Sequence, residues 1–381
     1  MQRVAPAEAF PPGEFLREEL EARGWTQADL AEILTVSPQH INEIINGKSS
    51  ITPETAKALG AAFGVDPRYW MNLESIYQLW RVRTAAGSNN IERRAKLFVK
   101  APVREMIRRH WIETSNSVDV LEKRVLDFFE ISSLDEEAIV WSAARKSTSY
   151  ASVTPLQRAW LFRARQLARA VQAAPFSKVS FQRAMQTLKT LLWNREDVRH
   201  VPKVLAEAGI RFVVVEHLEQ TRIDGACLWL EKKSPVVALS LRYDRIDAFW
   251  HTLMHELGHV QERHGLEGYA PLDVELLRES RIAEKDGPQE EKDADQFAVE
   301  FLIPQRDLDH FIRRVRPLYS ATKITGFAAL QKVHPGIVVG QLQHRGEIGY
   351  TYHRRMLEKV RSIVTQSALT DGWGHTPPAG L

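Results

Sequence analysis

The sequence predicts a mostly α-helical protein with a small α+β domain. Three observations point there. Residues 13–80 carry short apolar helical faces separated by helix start and stop signals. Residues 210–240 hold three short runs rich in β-branched and aromatic residues. After Asp244 the helical period returns and carries the stretch HTLMHELGHVQERH, with four histidines and two glutamates. The expected organisation is an N-terminal helical bundle (1–82), a helical linker or scaffold domain (83–200) and an α+β domain (201–381). Its last residues, 371–381, carry Gly and Pro with no apolar period and read as disordered.

The N-terminal bundle is read from local chemistry. Thr26 with Asp29 three residues on makes a capping-box pattern ahead of the face Leu30, Ala31, Ile33, Leu34. A break at Thr35-Val36-Ser37 precedes a helix from Pro38 to about Asn46, closed by Gly47. Thr52-Pro53 caps and starts the next helix, which runs over Ala56, Leu59 and Phe63 and stops at Gly64. Asp66-Pro67 repeats the start signal. The sum is about five short helices. Residues 83–200 remain helical but carry no chemistry-bearing constellation, with breaks near Gly87–Asn90 and Thr148–Tyr150. The runs IRFVVVEH, ACLWLEKK and PVVALSL, with Asp224-Gly225 and Ser234-Pro235 read as turns between them, predict a three-stranded antiparallel sheet.

Composition narrows the function classes. The chain has 381 residues, enough for several domains, and a net charge of +3 that says little about partners. One cysteine, Cys227, excludes an internal disulfide and a Cys-only zinc site, and fits a reducing cytoplasm. MQRVAPAEAF lacks the apolar core of a secretory signal, and runs such as FVVV are too short to span a bilayer, so no membrane partner is expected. Met1 to Arg81 is net acidic, with seven basic against eleven acidic residues. Positive charge for nucleic acid must therefore be local there.

Two helices joined by a tight three-residue turn form a DNA-reading unit. Leu30, Leu34, Val36, Ile41 and Ile44 fall at core positions. Ser37, Gln39, His40, Asn42 and Glu43 then face outward at the start of the second helix, the end that enters a major groove. Gln27 sits at a helix N-terminus that can hold a phosphate, and Lys48, Ser49 and Ser50 are placed for backbone contacts. TQADLAEILTVSPQHINEIINGK resembles the lambda-repressor-like (XRE) helix-turn-helix. With ITPETAKALGAAFGVDPRYWMNL it resembles the HigA-type antitoxins. The resemblance implies a homodimer on a palindromic operator, with a cognate toxin as partner. Thr35 departs from the Gly or Asn usual at this turn position, which tolerates positive φ.

His255-Glu256-Leu257-Gly258-His259 is an HExxH. Residues four apart share a helix face, so two imidazoles can reach one zinc and Glu256 can act as general base on the water the metal activates. His251 shares the face but lies roughly 12 Å from His259 along the axis. It can line a cleft or pack, with packing favoured. His264, rotated about 140° from His259, is expected to face away at the helix C-terminus. Glu262 would need a helix break that no Gly or Pro supplies. A third ligand is expected downstream, in EEKDADQFAVEFLIP, where Glu291 and the competing Glu290 precede Asp295 by about one turn.

HTLMHELGH followed by EKDADQFAVEFLIP resembles the ImmA/IrrE family of zinc metallopeptidases. GACLWLEKKSPVVALSLRYDRIDAFW and FAALQKVHPGIVVGQLQ are similar to segments of fusions that carry this domain. The resemblance implies a zincin-like, gluzincin-type core. His255, His259 and Glu291 would bind zinc, Glu256 would be the base, and Asp295 would hydrogen-bond a ligand histidine. Together the motifs imply a DNA-binding regulator carrying an endopeptidase that cleaves a regulator or partner protein. The competing expectation is a non-proteolytic antitoxin and autorepressor whose zinc domain is structural or sensory. A plain peptidase with a protein-binding bundle is a third.

Overall fold

The structure, a computed structural model, describes residues 9–84, 88–134, 153–264, 266, 272–274 and 289–372. The chain divides into two compact units, Met1–Lys96 and Leu97–Leu381. The expected break at Thr148–Tyr150 and the tail from 373 lie outside the described residues. No described helix is long and apolar enough to cross a membrane.

The first unit holds five helices: α1 (Pro12–Arg23), α2 (Gln27–Leu34), α3 (Pro38–Ile45), α4 (Pro53–Phe63) and α5 (Pro67–Thr84). Their ends follow the sequence signals. Thr26 Oγ1 accepts the Asp29 amide at 3.1 Å, and the Asp29 carboxylate accepts the Thr26 amide at 2.7 Å, closing the capping box. Ser37 and Thr52 accept the amides of His40 and Thr55 at 3.2 and 3.3 Å. Gly64 ends α4 at φ 71°, a left-handed conformation that costs glycine nothing. Leu16, Leu30, Ile41, Leu59 and Trp70 form the buried centre.

The turn between α2 and α3 differs from expectation in one side chain. Val36, expected in the core, is 38% exposed. Thr35 takes the left-handed conformation at φ 58°, and the reversal carries the next residue outward. A β-branched residue held there costs roughly 1–2 kcal/mol, while glycine brings an entropic cost of about 0.5–1 kcal/mol. Thr35→Gly is therefore expected to stabilise the unit by about 0.5–1 kcal/mol. Denaturant titration reads this directly, and an unchanged or lower midpoint would contradict it.

The division between units falls within α6 (Ser88–Lys100). The second unit continues with α7 (Val103–Arg108), α8 (Val118–Phe129), α9 (Pro155–Ala170), α10 (Lys178–Thr190) and α11 (Val201–Glu207). Strands β1 (Arg211–Val214), β2 (Ile223–Trp229) and β3 (Pro235–Leu239) follow. Then come α12 (Ile246–Glu262), β4 (Leu272–Val274), α13 (Gln289–Leu302), α14 (Gln305–Val315), α15 (Ala321–Gln331), α16 (Pro335–His344), α17 (Arg361–Thr365) and β5 (Leu369–Thr370).

The sheet has the order β4-β2-β3-β1-β5. The three expected strands occupy its centre, but the sheet is mixed rather than antiparallel. β2 and β3 pair antiparallel, whereas β1 runs parallel to both β3 and β5. The β2–β3 hairpin places β3, not β2, against β1, so β1 and β3 share a direction. The Ser234-Pro235 turn stands as expected, held by Ser234 N to Glu231 O at 2.9 Å. Asp224-Gly225 is not a turn; both residues lie inside β2.

Alternate side chains explain the uninterrupted apolar runs. Phe212, Val214, Cys227, Val237 and Leu239 face one core, which α12, α13 and α16 complete. Val213, Ala226, Leu228, Val236 and Ala238 face a second core, closed by α8 and α9 through Phe128, Trp160 and Phe162. A sheet covered on both faces reads as continuous hydrophobicity rather than alternation. Asp371, expected to begin a disordered tail, has a side chain only 1% exposed and faces Arg109 at 3.5 Å.

Candidate metal centre

α12 is buried from Ile246 to Val260. His255 and His259, one turn apart, bring their Nε2 atoms within 3.1 Å of each other. α13 lies close against this helix because residue 258 is glycine. A Cβ there would meet Ala294 Cα at 3.1 Å and Phe297 Cδ1 at 3.3 Å. The approach brings Glu291 to the imidazoles: its carboxylate oxygens lie 3.4 Å from His255 Nε2 and 3.6 Å from His259 Nε2. These three residues, each buried, offer donor atoms within 4.8 Å of one another. Glu290, the competing candidate, is half-buried and outside that cluster.

The far side of each imidazole is also engaged. Asp295 Oδ1 lies 2.7 Å from His255 Nδ1. With Nδ1 donating to the carboxylate, the Nε2 lone pair faces the cluster. His259 Nδ1 lies 2.9 Å from His264 Nδ1. This corrects the expectation that His264 points away. The 100° projection assumes a continuing helix, but α12 ends at Glu262 and Arg263 turns left-handed at φ 61°. That reversal brings the His264 amide onto the His259 carbonyl at 2.9 Å, while Trp229 Nε1 donates to the His264 carbonyl at 2.8 Å. Burial, reinforced by the neighbouring His255, lowers the His259 pKa to about 3. Its imidazole is neutral at about pH 7, the form that ligates a metal.

Glu256 is fully buried. Its carboxylate lies against the backbone of β2 at Gly225, where a Cβ would stand 2.2 Å from Glu256 Oε1 and 2.9 Å from Thr252 Cγ2. Gly225 is thus a candidate site residue at a position where the sequence predicts a turn. Its glycine makes room for the carboxylate rather than for a reversal. His251 is 8% exposed and lines a cavity between α12, α13 and α16. Glu262 is exposed at the helix end.

In the first unit, Gln27, Ser37, Gln39, Asn42 and Lys48 are exposed and His40 is half-buried. Ser37 spends its hydroxyl on the α3 cap, and Gln39 Nε2 donates to Glu43 Oε1 at 2.9 Å. The exposed face of the first turn of α3 offers amide and imidazole donors.

A helix-turn-helix bundle and an HExxH helix met by a carboxylate from a neighbouring helix define the class: a DNA-binding regulator fused to a metallopeptidase-type domain. Residues 16–70 match the helix-turn-helix family model, and residues 206–325 match the model of the IrrE N-terminal-like domain, peptidase family M78. Virulence-associated protein I of Dichelobacter nodosus is 42% identical over 84 residues, which cover 22% of this chain and 78% of its own length. Antitoxin HigA-1 of Vibrio cholerae is 37% identical over 89 residues, covering 23% of this chain and 78% of its own length. The solved Pseudomonas aeruginosa antitoxin HigA with the higBA promoter is 35% identical, covers 22% of this chain and 90% of its own, and gives a TM-score of 0.21. Through its first unit the chain belongs to the XRE-type helix-turn-helix family, and its second unit carries an M78 domain.

Proposed function

We propose that this protein is an antitoxin-like operator-binding regulator whose second unit is a zinc endopeptidase acting on a regulator or partner protein. The observation that carries the enzymatic half is the buried cluster of His255, His259 and Glu291, with donor atoms within 4.8 Å. Two imidazoles and one carboxylate are a donor set that zinc takes in catalytic sites, with a coordination position left for water or substrate. A structural zinc is ordinarily closed by four protein ligands; the three donors found among the described residues support the catalytic reading over a structural or sensory module.

His255, His259 and Glu291 would hold the ion, and Asp295 would fix the His255 ring. Zinc, when bound, supplies Lewis acidity that polarises the peptide carbonyl and acidifies water. Glu256 accepts the proton of the attacking water and returns it to the leaving amine. Gly225 keeps that carboxylate in place by leaving it room. The whole set is built on helix and strand rather than loop, which limits the wandering of the base.

In the first unit, the α3 start would read a palindromic operator as part of a homodimer, through Gln39, His40 and Asn42. Gln27 and Lys48 would contact phosphates, with Ser37 holding the helix end in shape. A cognate toxin is the partner this module would regulate. Gln39→Ala combined with His40→Ala is expected to weaken operator binding by about 10-fold or more at fixed salt, from the lost base contacts. A gel-shift or anisotropy titration checks it. Unchanged affinity in the folded double variant would contradict the assignment.

A further inference from the structure

His264 stands outside the donor cluster of the candidate metal centre, but its backbone is tied on both sides. Its amide donates to the His259 carbonyl at 2.9 Å, across the left-handed turn that Arg263 makes at φ 61°. Its carbonyl accepts from Trp229 Nε1 at 2.8 Å. Trp229 is the last residue of β2, so His264 is pinned between the ligand helix and the sheet. These two bonds use main-chain atoms and fix where the imidazole stands. Its Nδ1 lies 2.9 Å from His259 Nδ1, with the ring centroids 5.2 Å apart and the planes inclined at 59°. The contact is nitrogen to nitrogen, not face to face.

Two ring nitrogens at that distance share one proton, because two lone pairs or two N–H groups would repel. The other side of His259 decides which ring carries it. Its Nε2 faces His255 Nε2 at 3.1 Å and Glu291 at 3.6 Å. To ligate a metal, that nitrogen needs its lone pair. A neutral imidazole has one N–H, so the proton of His259 then sits on Nδ1, and His264 Nδ1 accepts it. Were His264 the donor, the His259 proton would sit on Nε2 and close that ligand position. The two ligand rings are thus backed by different groups: His255 by the Asp295 carboxylate at 2.7 Å, and His259 by an imidazole nitrogen.

We propose that His264 is the positioning residue of the second metal ligand. Its Nδ1 accepts the His259 Nδ1 proton, which holds His259 in the tautomer and orientation that turn Nε2 towards the ion. The role rests on the zinc reading above. Such a backing group fixes the ring and raises its basicity as a ligand, and losing it costs about 10-fold or more in metal affinity.

The test joins two variants of the full chain to one spectroscopic reading. His264→Phe keeps the shape of a ring but puts a C–H where Nδ1 stands. His264→Asp gives up the ring but returns an acceptor oxygen to that place. Zinc affinity, measured by chelator competition, is expected to fall about 10-fold or more in His264→Phe and to recover in His264→Asp. In zinc-loaded wild type, isotopically labelled at the histidine nitrogens, NMR is expected to show a coupling across the hydrogen bond between His259 Nδ1 and His264 Nδ1, with the proton on His259. That reading needs no variant, so it stands if His264→Phe folds poorly. Bound zinc without the coupling, or wild-type affinity in a folded His264→Phe, would overturn the role of His264 and leave the zinc site in place. Equal losses in the two variants would also overturn it, since a ring that merely packs gives that result. A wild type that takes up no zinc would remove the zinc reading first, and this role with it.

Discussion

Glu256→Gln is expected to leave zinc binding intact and to lower cleavage of the partner protein by at least about 100-fold, the magnitude of removing a positioned general base. The substitution keeps the size and shape of a fully buried side chain that fits over Gly225, so the fold has no reason to respond. The amide cannot accept the proton that the carboxylate takes. Retained zinc separates a lost base from a lost site, so metal content and cleavage are measured on the same sample. A Glu256→Gln protein that cleaves at the wild-type rate would remove the proposed mechanism.

The second large effect is expected at the ligands. If the cluster is the zinc site proposed above, zinc in a roughly hundredfold excess over its dissociation constant would stabilise the folded wild-type chain by about 2.7 kcal/mol. Stripping the metal with a chelator is expected to lower the melting temperature of the second unit accordingly. His255→Ala is expected to abolish this response. The substitution removes one donor from the cluster, takes away the 2.7 Å partner of Asp295, and leaves Glu291, with a side chain only 9% exposed, beside a single imidazole. Calorimetric or fluorescence melting with and without chelator checks it. A chelator shift of the same size in both proteins would place the metal elsewhere.

What was legible in the sequence was local. Thr26 with Asp29, Thr52-Pro53 and Gly64 act within a few residues of themselves, so the bundle could be drawn from capping chemistry alone. The HExxH spacing likewise places two imidazoles on one face without knowledge of the fold. In the sequence, Glu291 is preferred over Glu290 only by family resemblance; the spacing alone leaves both open.

What was not legible depends on residues far apart in the chain. Gly225 follows Asp224, and that pair signals a turn as readily as a close approach. Only Glu256, in the helix packed against that strand, shows which it is. An uninterrupted helix would turn His264 away from His259, but the helix stops at Glu262. The parallel pairing of β1 with β3 is set by which strand of the hairpin lies inward, and no residue type encodes that. One signal was available: PVVAL is apolar at every position, which calls for cover on both faces of the sheet. Helices α8 and α9 supply the second cover, from a stretch without chemical motifs.

The metal centre is tested most directly by zinc analysis of purified, zinc-dialysed protein, comparing the wild type with Glu256→Gln, His255→Ala and Glu291→Ala. About one zinc per chain is expected in the first two, and a loss of at least about tenfold in affinity in the last two, as befits removal of a direct ligand. Full zinc occupancy in His255→Ala and Glu291→Ala, or none in the wild type, would contradict the assignment of these residues as the ligands.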